Sequence, residues 1–188
     1  MEKTTYYELN RWDKSDRVLM EDFNSDNAKL DAALHALAEK GALTRLKTFT
    51  TEEKIAGSGV FTMDISGIDW DAWQYVYVDL ALRGSGYMLL YPNGNADGAS
   101  SRGYVTSSSY KSLAGMLPCG SGKPEITRVE LQVFRNAAQT VHAVCPYQCI
   151  TGSAANYTYS ALRTLHLTPY HESYHMDAGS TITLWGIK

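Results

Sequence analysis

Residues 126–135 read ITRVELQVFR. Val129, Leu131 and Val133 alternate with Arg128, Glu130 and Gln132. A period of two sends the two sets to opposite faces of a strand, one apolar and one wet. The same reading extends outward in both directions. VFTMDI (60–65), WQYVYVDLAL (73–82), GYMLLY (86–91), TVHAVC (140–145), YSALRTLHLT (159–168) and TITLWGI (181–187) are rich in β-branched and aromatic residues, as strands are. Turn-rich stretches separate them: RGSG, PNGNADGASSRG, PCGSGKP and TGSAAN. SSYKSLAGML (108–117) is expected to form a short turn of helix. Several strands with no helical pattern between them predict an antiparallel β-sandwich or jelly roll over residues 47–188.

Before residue 47 the period is helical. Phe23, Asn27, Leu30, Leu34 and Leu37 are spaced by four and three, which is a heptad seam with one polar position able to set register. Asp26, Lys29, Asp31, His35, Glu39 and Lys40 occupy the other faces. The expected helix spans 16–46, capped by Ser15 or Asp16 and closed by Gly41, with a break near Phe23 and Asn24 as the alternative. A helix of this length is marginal alone in water, so it needs either its own β domain or copies of itself, and self-association is the favoured reading. Residues 1–15, MEKTTYYELNRWDKS, mix aromatics with charge. They form either a strap on the same domain or an anchor for another protein.

The chain has 188 residues, 44% of them hydrophobic and 20% charged, with a net charge of −3. That is a globular balance, without the basic patch that nucleic acid requires. No apolar run has transmembrane length, and the first residues lack a hydrophobic signal core, so neither membrane insertion nor signal-peptide export is expected. Cys119, Cys145 and Cys149 are odd in number and lack C-x-x-C spacing. Plain thiols are expected.

One motif points to chemistry. His171-Glu172-Ser173-Tyr174-His175 fits H-E-x-x-H, in which a helix brings two imidazoles to one zinc and the glutamate to its water. Pro169 before it and Gly179 after it argue against a helix here. In an extended chain the two histidines would lie about 13 Å apart. The stretch therefore reads as a connection between strands, and no metal or cofactor is expected. Asp64, Asp69 and Asp71 could serve glycoside hydrolysis as paired carboxylates, but Asp69 and Asp71 read more simply as turn or cap residues. Thirteen tyrosines and four tryptophans against four phenylalanines favour binding surfaces. Tyr104, Tyr110, Tyr147, Tyr157, Tyr170 and Tyr174 fall in or near expected loops. The ligand candidates are Tyr170, His171, Tyr174 and His175.

Tyr7-Glu8-Leu9-Asn10, Trp12, Asp16-Arg17-Val18-Leu19, Asp22-Phe23-Asn24 and Asp26-Asn27 with Lys29-Leu30-Asp31 resemble the opening of tail-fibre and receptor-binding proteins of phages and prophages of Gram-positive gut bacteria. ISGIDWDAWQYVYVDL (65–80) and AGSTITLWGIK (178–188) are similar to the small β tips of such proteins. The resemblance implies a virion structural appendage, without enzymatic activity, in three parts. Residues 1–15 would attach to the particle's tail, baseplate or capsid proteins, with Tyr6, Tyr7, Leu9 and Trp12 as the candidate contacts. The helix would form a homotrimeric bundle through Phe23, Asn27, Leu30, Leu34 and Leu37. The β domain would touch a host-surface glycan or protein. The chain is short for a fibre, which keeps a capsid-decorating head fibre open. A zinc metallopeptidase through His171, Glu172 and His175, or a free-standing sugar-binding module, would be alternatives from other classes.

Overall fold

The computed structural model describes residues 2–39, 42–95, 99–103 and 109–188. The chain divides into two compact units, Met1–Ala42 and Leu43–Lys188.

In the first unit, β1 (Glu2–Lys3) pairs antiparallel with β2 (Asn10–Arg11), closing a hairpin. Thr4 stabilises its tip, its carbonyl accepting from Glu8 N at 3.2 Å and its hydroxyl from Leu9 N at 2.9 Å. Helix α1 (Met20–Glu39) follows. It is shorter at both ends than the expected 16–46, and it runs without the alternative break near Phe23. Asp16 does not start it: its carboxylate accepts from Asp13 N at 2.8 Å, closing a turn ahead of the helix. The expected Gly41 cap lies outside the described residues.

The second unit opens with an unexpected strand, β3 (Thr44–Thr50). Only Leu46, Lys47 and Phe49 are half-buried in it, so its alternation is weak in the sequence. Then come β4 (Ile55–Ala56), β5 (Phe61–Asp64), β6 (Tyr75–Leu82), β7 (Gly84–Ser85) and β8 (Tyr87–Pro92). They are followed by β9 (Ser100–Gly103), β10 (Ser109–Tyr110), β11 (Met116–Pro118), β12 (Glu125–Gln132) and β13 (Thr140–Cys145). The last are β14 (Ile150–Thr158), β15 (Thr164–Pro169), β16 (His175–Met176) and β17 (Thr181–Ile187).

Eight strands form one sheet in the order β10-β9-β14-β13-β12-β6-β17-β3. Four form a second, β11-β8-β15-β5, and three short ones a third, β4-β16-β7. All of these strand pairings are antiparallel. The unit is thus mainly β, built of several antiparallel sheets. Burial alternates strictly along β6, β15 and β17. Val76, Val78 and Leu80 from β6, Val129 and Leu131 from β12, and Ile182 and Leu184 from β17 share one apolar cluster with Met88 and Leu90 from β8 and Leu165 and Leu167 from β15. Each such side chain contributes about 1.5–3 kcal/mol by leaving water.

Three sequence readings are corrected. TGSAAN lies inside strand β14, not a loop. It lacks large side chains because a Cβ on Gly152 would sit 1.9 Å from the carbonyl oxygen of Leu113. YSALRTLHLT is not one strand: Tyr159–Ala161 form a turn of 3-10 helix before β15 begins at Thr164. Residues 109–117 contain no helix: Ser109–Tyr110 and Met116–Pro118 are strands with bends between them.

Half-buried His166 on β15 stacks on Tyr91, with ring centroids 5.4 Å apart. Its Nε2 lies 2.8 Å from Thr164 Oγ1 and its Nδ1 3.3 Å from Thr62 Oγ1. Burial holds its pKa below the ordinary 6.5. The unfolded chain therefore takes up a proton at a pH where the folded ring stays neutral, and stability is lost as pH falls from 6.5 through the folded value. We expect the fall in Tm between about pH 7.5 and about pH 5 to be smaller in a His166→Gln variant than in the wild type, as read by thermal melts.

Candidate functional site

Two features of the structure have the makings of contact surfaces, one in each unit.

In the first unit the hairpin lies on the polar side of α1. Asn10 N donates to Asp26 Oδ2 at 2.8 Å, Asn10 Nδ2 to the carbonyl of Asp22 at 3.3 Å, and Lys29 Nζ to the carbonyl of Glu8 at 2.7 Å. Asp22, Asp26, Lys29 and Ala33 are the half-covered positions of the helix. They follow the spacing of one helical face. The heptad seam is a different face, and it is bare within the unit: Phe23 is 52% exposed, Leu30 41%, and Leu34 and Leu37 65% each. Asn27 is exposed among them. Tyr7 flanks this seam, lining a hollow of about 290 Å³ with Leu30, Leu34 and Leu37. At the hairpin tip Tyr6 is exposed, while Leu9 and Trp12 are half-buried. The four expected attachment residues thus divide into two exposed tyrosines and two half-buried residues, of which Leu9 bonds to Thr4 across the hairpin tip.

In the second unit HESYH is not helical. Tyr170–Tyr174 connect β15 to β16 through a turn in which Tyr174 N donates to the carbonyl of His171 at 2.9 Å. Ser173 N donates to His171 Nδ1 at 3.2 Å, so the proton of the neutral ring sits on Nε2. His175 has already entered β16, the middle strand of the three-stranded sheet, with its Nε2 3.5 Å from Asp177 Oδ1. The helical face that would bring His171 and His175 to one zinc is not formed. Among the described residues no group of three or more His, Cys, Asp or Glu is placed to hold a metal ion.

The turn instead builds an aromatic ridge. Tyr174 meets Tyr87 edge-on at 5.9 Å and His171 at 5.6 Å. Tyr170 N donates to the carbonyl of Tyr87, and the Tyr170 ring stands half exposed beside it. Three of the four expected ligand residues, Tyr170, His171 and Tyr174, therefore lie together, while His175 turns to Asp177.

The sequence reading missed what supports this ridge. RGSG is β7 as well as a turn. Gly84 has φ +138, and a Cβ there would lie 2.2 Å from the carbonyl oxygen of His175. Gly86 has φ +79, and its Cβ would stand inside the Tyr174 ring. Both are conformations that favour glycine. Behind them Thr51 and Ser180, both buried, fix the segment after His175. Thr51 Oγ1 donates to the Asp177 carbonyl at 2.8 Å, and Ser180 Oγ donates to the same oxygen at 2.9 Å.

Two of the acidic trio, Asp64 and Asp71, serve local structure through their side chains. Asp64 Oδ1 accepts from Ser66 N at 2.9 Å, and hydrogen bonds from Ser66 hold its carboxyl below the usual range. Asp71 Oδ1 accepts from Ala137 N at 2.8 Å, and Asp69 stands at the N-cap of a short 3-10 turn. Tyr104 lies outside the described residues. Burial pushes the Cys119 thiol up to about 12, which makes it a poor nucleophile.

No protein-family model matches the chain, and a search of curated proteins finds no significant match. Among the described residues no helix is long and apolar enough to cross a membrane.

Proposed function

We propose that the protein is a homotrimeric, non-enzymatic virion appendage of a phage, a tail fibre or receptor-binding protein. The hairpin attaches it to the particle, α1 bundles three copies, and the β unit, a two-layer sandwich, meets a host-surface glycan or protein.

The observation that carries this reading is the bare heptad seam. A helix of twenty residues is marginal alone, yet its own hairpin is spent on the polar face and leaves four large apolar side chains in water. They are 41–65% exposed, so completing their burial against identical helices gains roughly half of the about 1.5–3 kcal/mol that full burial of such a side chain is worth. The resemblance of residues 7–31 to phage fibre openings supplies the number of copies and the setting. The sandwich reading is supported by the shared core, and by Lys47 of β3 donating to the Asp64 carbonyl of β5 at 2.7 Å, a link between the edges of the two larger sheets. Linked weak sites gain avidity, which suits a surface ridge without a deep pocket.

The test is imaging of phage particles with an antibody against the full chain. Label at the tail tip or baseplate is expected. Label on the capsid would favour the head-fibre alternative, and particles without label would contradict a virion protein.

A further inference from the structure

We propose that the outer face of the eight-stranded sheet carries a binding site for one or two rings of a neutral saccharide, with Trp185 as the stacking wall, Arg128 and Asp79 as the hydroxyl-binding pair, and Ala81 as the floor. The choice of ligand class rests on the host-surface reading above. The site itself is separate from the aromatic ridge.

The register places it. Across β12, β6 and β17, three rows run side by side: Glu130, Tyr77 and Trp185; Arg128, Asp79 and Thr183; Ile126, Ala81 and Thr181. These residues alternate with the buried Val78, Leu80, Val129, Ile182 and Leu184, so they face away from the core. Alanine in the middle of the third row lowers the surface there. The result is an open hollow of about 310 Å³ between Arg128, Ile126 and Trp185, the scale of small-ligand sites.

Its chemistry is selective. Arg128 Nε and Nη2 donate to Asp79 Oδ1 and Oδ2 at 2.6 and 2.7 Å, and the guanidinium lies 4.8 Å from the centre of the Tyr77 ring. Both groups are thus oriented before any ligand arrives. Nη1 is left over as a donor, and each carboxylate oxygen keeps acceptor capacity. A rigid donor beside a rigid acceptor matches adjacent hydroxyls, while an aromatic face beside them matches the C–H face of a sugar ring. The pair cancels its own charge, so the hollow favours a neutral ligand. Glu130 in the neighbouring row disfavours an acidic one. Ile126, the second residue of β12, lies where β12 pairs with β6 but not with β13; it is 72% exposed and forms an apolar rim.

The test uses the full-length chain and a panel of lactose, cellobiose and N,N′-diacetylchitobiose, with sialyllactose as the acidic control. Binding is read by tryptophan fluorescence and calorimetry. We expect weak binding of at least one neutral sugar and not of the acidic one. Trp185→Ala and Ala81→Leu, which fills the floor from the solvent side, should each weaken it at least tenfold. An Ala81→Leu variant with unchanged Tm removes the concern that Trp185→Ala disturbs the sheet. A double His171→Ala, Tyr174→Ala variant should bind as the wild type does.

No sugar bound, sugar binding indifferent to Ala81→Leu, or binding lost only in the His171/Tyr174 variant would each overturn the site. So would a changed oligomeric mass in Ala81→Leu, which would make this face a contact between copies. The virion reading is judged separately by the particle label, so the two can fail independently.

Discussion

A Leu30→Asp, Leu34→Asp variant is expected to run as a monomer, and the wild type as a trimer. Within their own unit Leu34 is 65% exposed and Leu30 41%, and both line the shallow hollow beside Tyr7, so the substitutions remove little that the single chain uses. In a bundle they would face the seam. There each change forfeits roughly half of the about 1.5–3 kcal/mol of full burial and adds a charge that is costly to desolvate. Summed over three chains, this removes half of the apolar seam side chains and places six carboxylates without partners in the bundle core. The hairpin contacts through Asp22, Asp26 and Lys29 lie on another face and should persist. The melting of the β unit should therefore be unchanged. His35→Gln, off the seam, should leave the mass as it is. Light scattering and thermal melts on the same samples read both outcomes.

The second large effect is expected from Gly84→Val. The obstacle to a side chain there is a backbone carbonyl oxygen, that of His175, at 2.2 Å, and no rotamer change moves it. At φ +138 the conformation itself is foreign to valine. Relief requires β16 to lift from β7, which breaks the middle of the three-stranded sheet and tilts the turn that carries Tyr170, His171 and Tyr174. Strain plus overpacking amount to about 3 kcal/mol, or a fall in Tm on the order of 10 °C for a unit of this size. Gly67 has nothing within 4 Å of its would-be Cβ, so Gly67→Ala is the matched control, expected to change Tm little.

β6, β12, β13 and β17 were legible because each puts one face in the core and one in water, which writes a period of two into the residues. β3 was not, because a half-exposed edge strand needs few apolar residues. β14 was hidden because close backbone packing at Gly152 demands small residues, and small residues read as a turn. The helical seam was visible in its spacing, but the choice of the polar face by the hairpin was not. It depends on hydrogen bonds from Asn10 and Lys29 that no periodicity announces.

HESYH had all the letters of a zinc motif, and its flanking proline and glycine argued correctly against the helix that would bring its histidines together. The glycines that let its turn lie flat on β7 carry no pattern of their own, so that part of the ridge emerged only from the fold. The outer-face hollow was equally hidden. Its residues come from three strands far apart in sequence, and only the register brings them into rows.

What covers the apolar seam of α1 decides whether the protein is a bundle of three or a single chain. Light scattering of the full-length protein at micromolar concentration measures it directly. The predicted result is a single species of three times 20.8 kDa that is stable on dilution. A species of 20.8 kDa, with residues 2–39 ordered and the seam still in water, would contradict it.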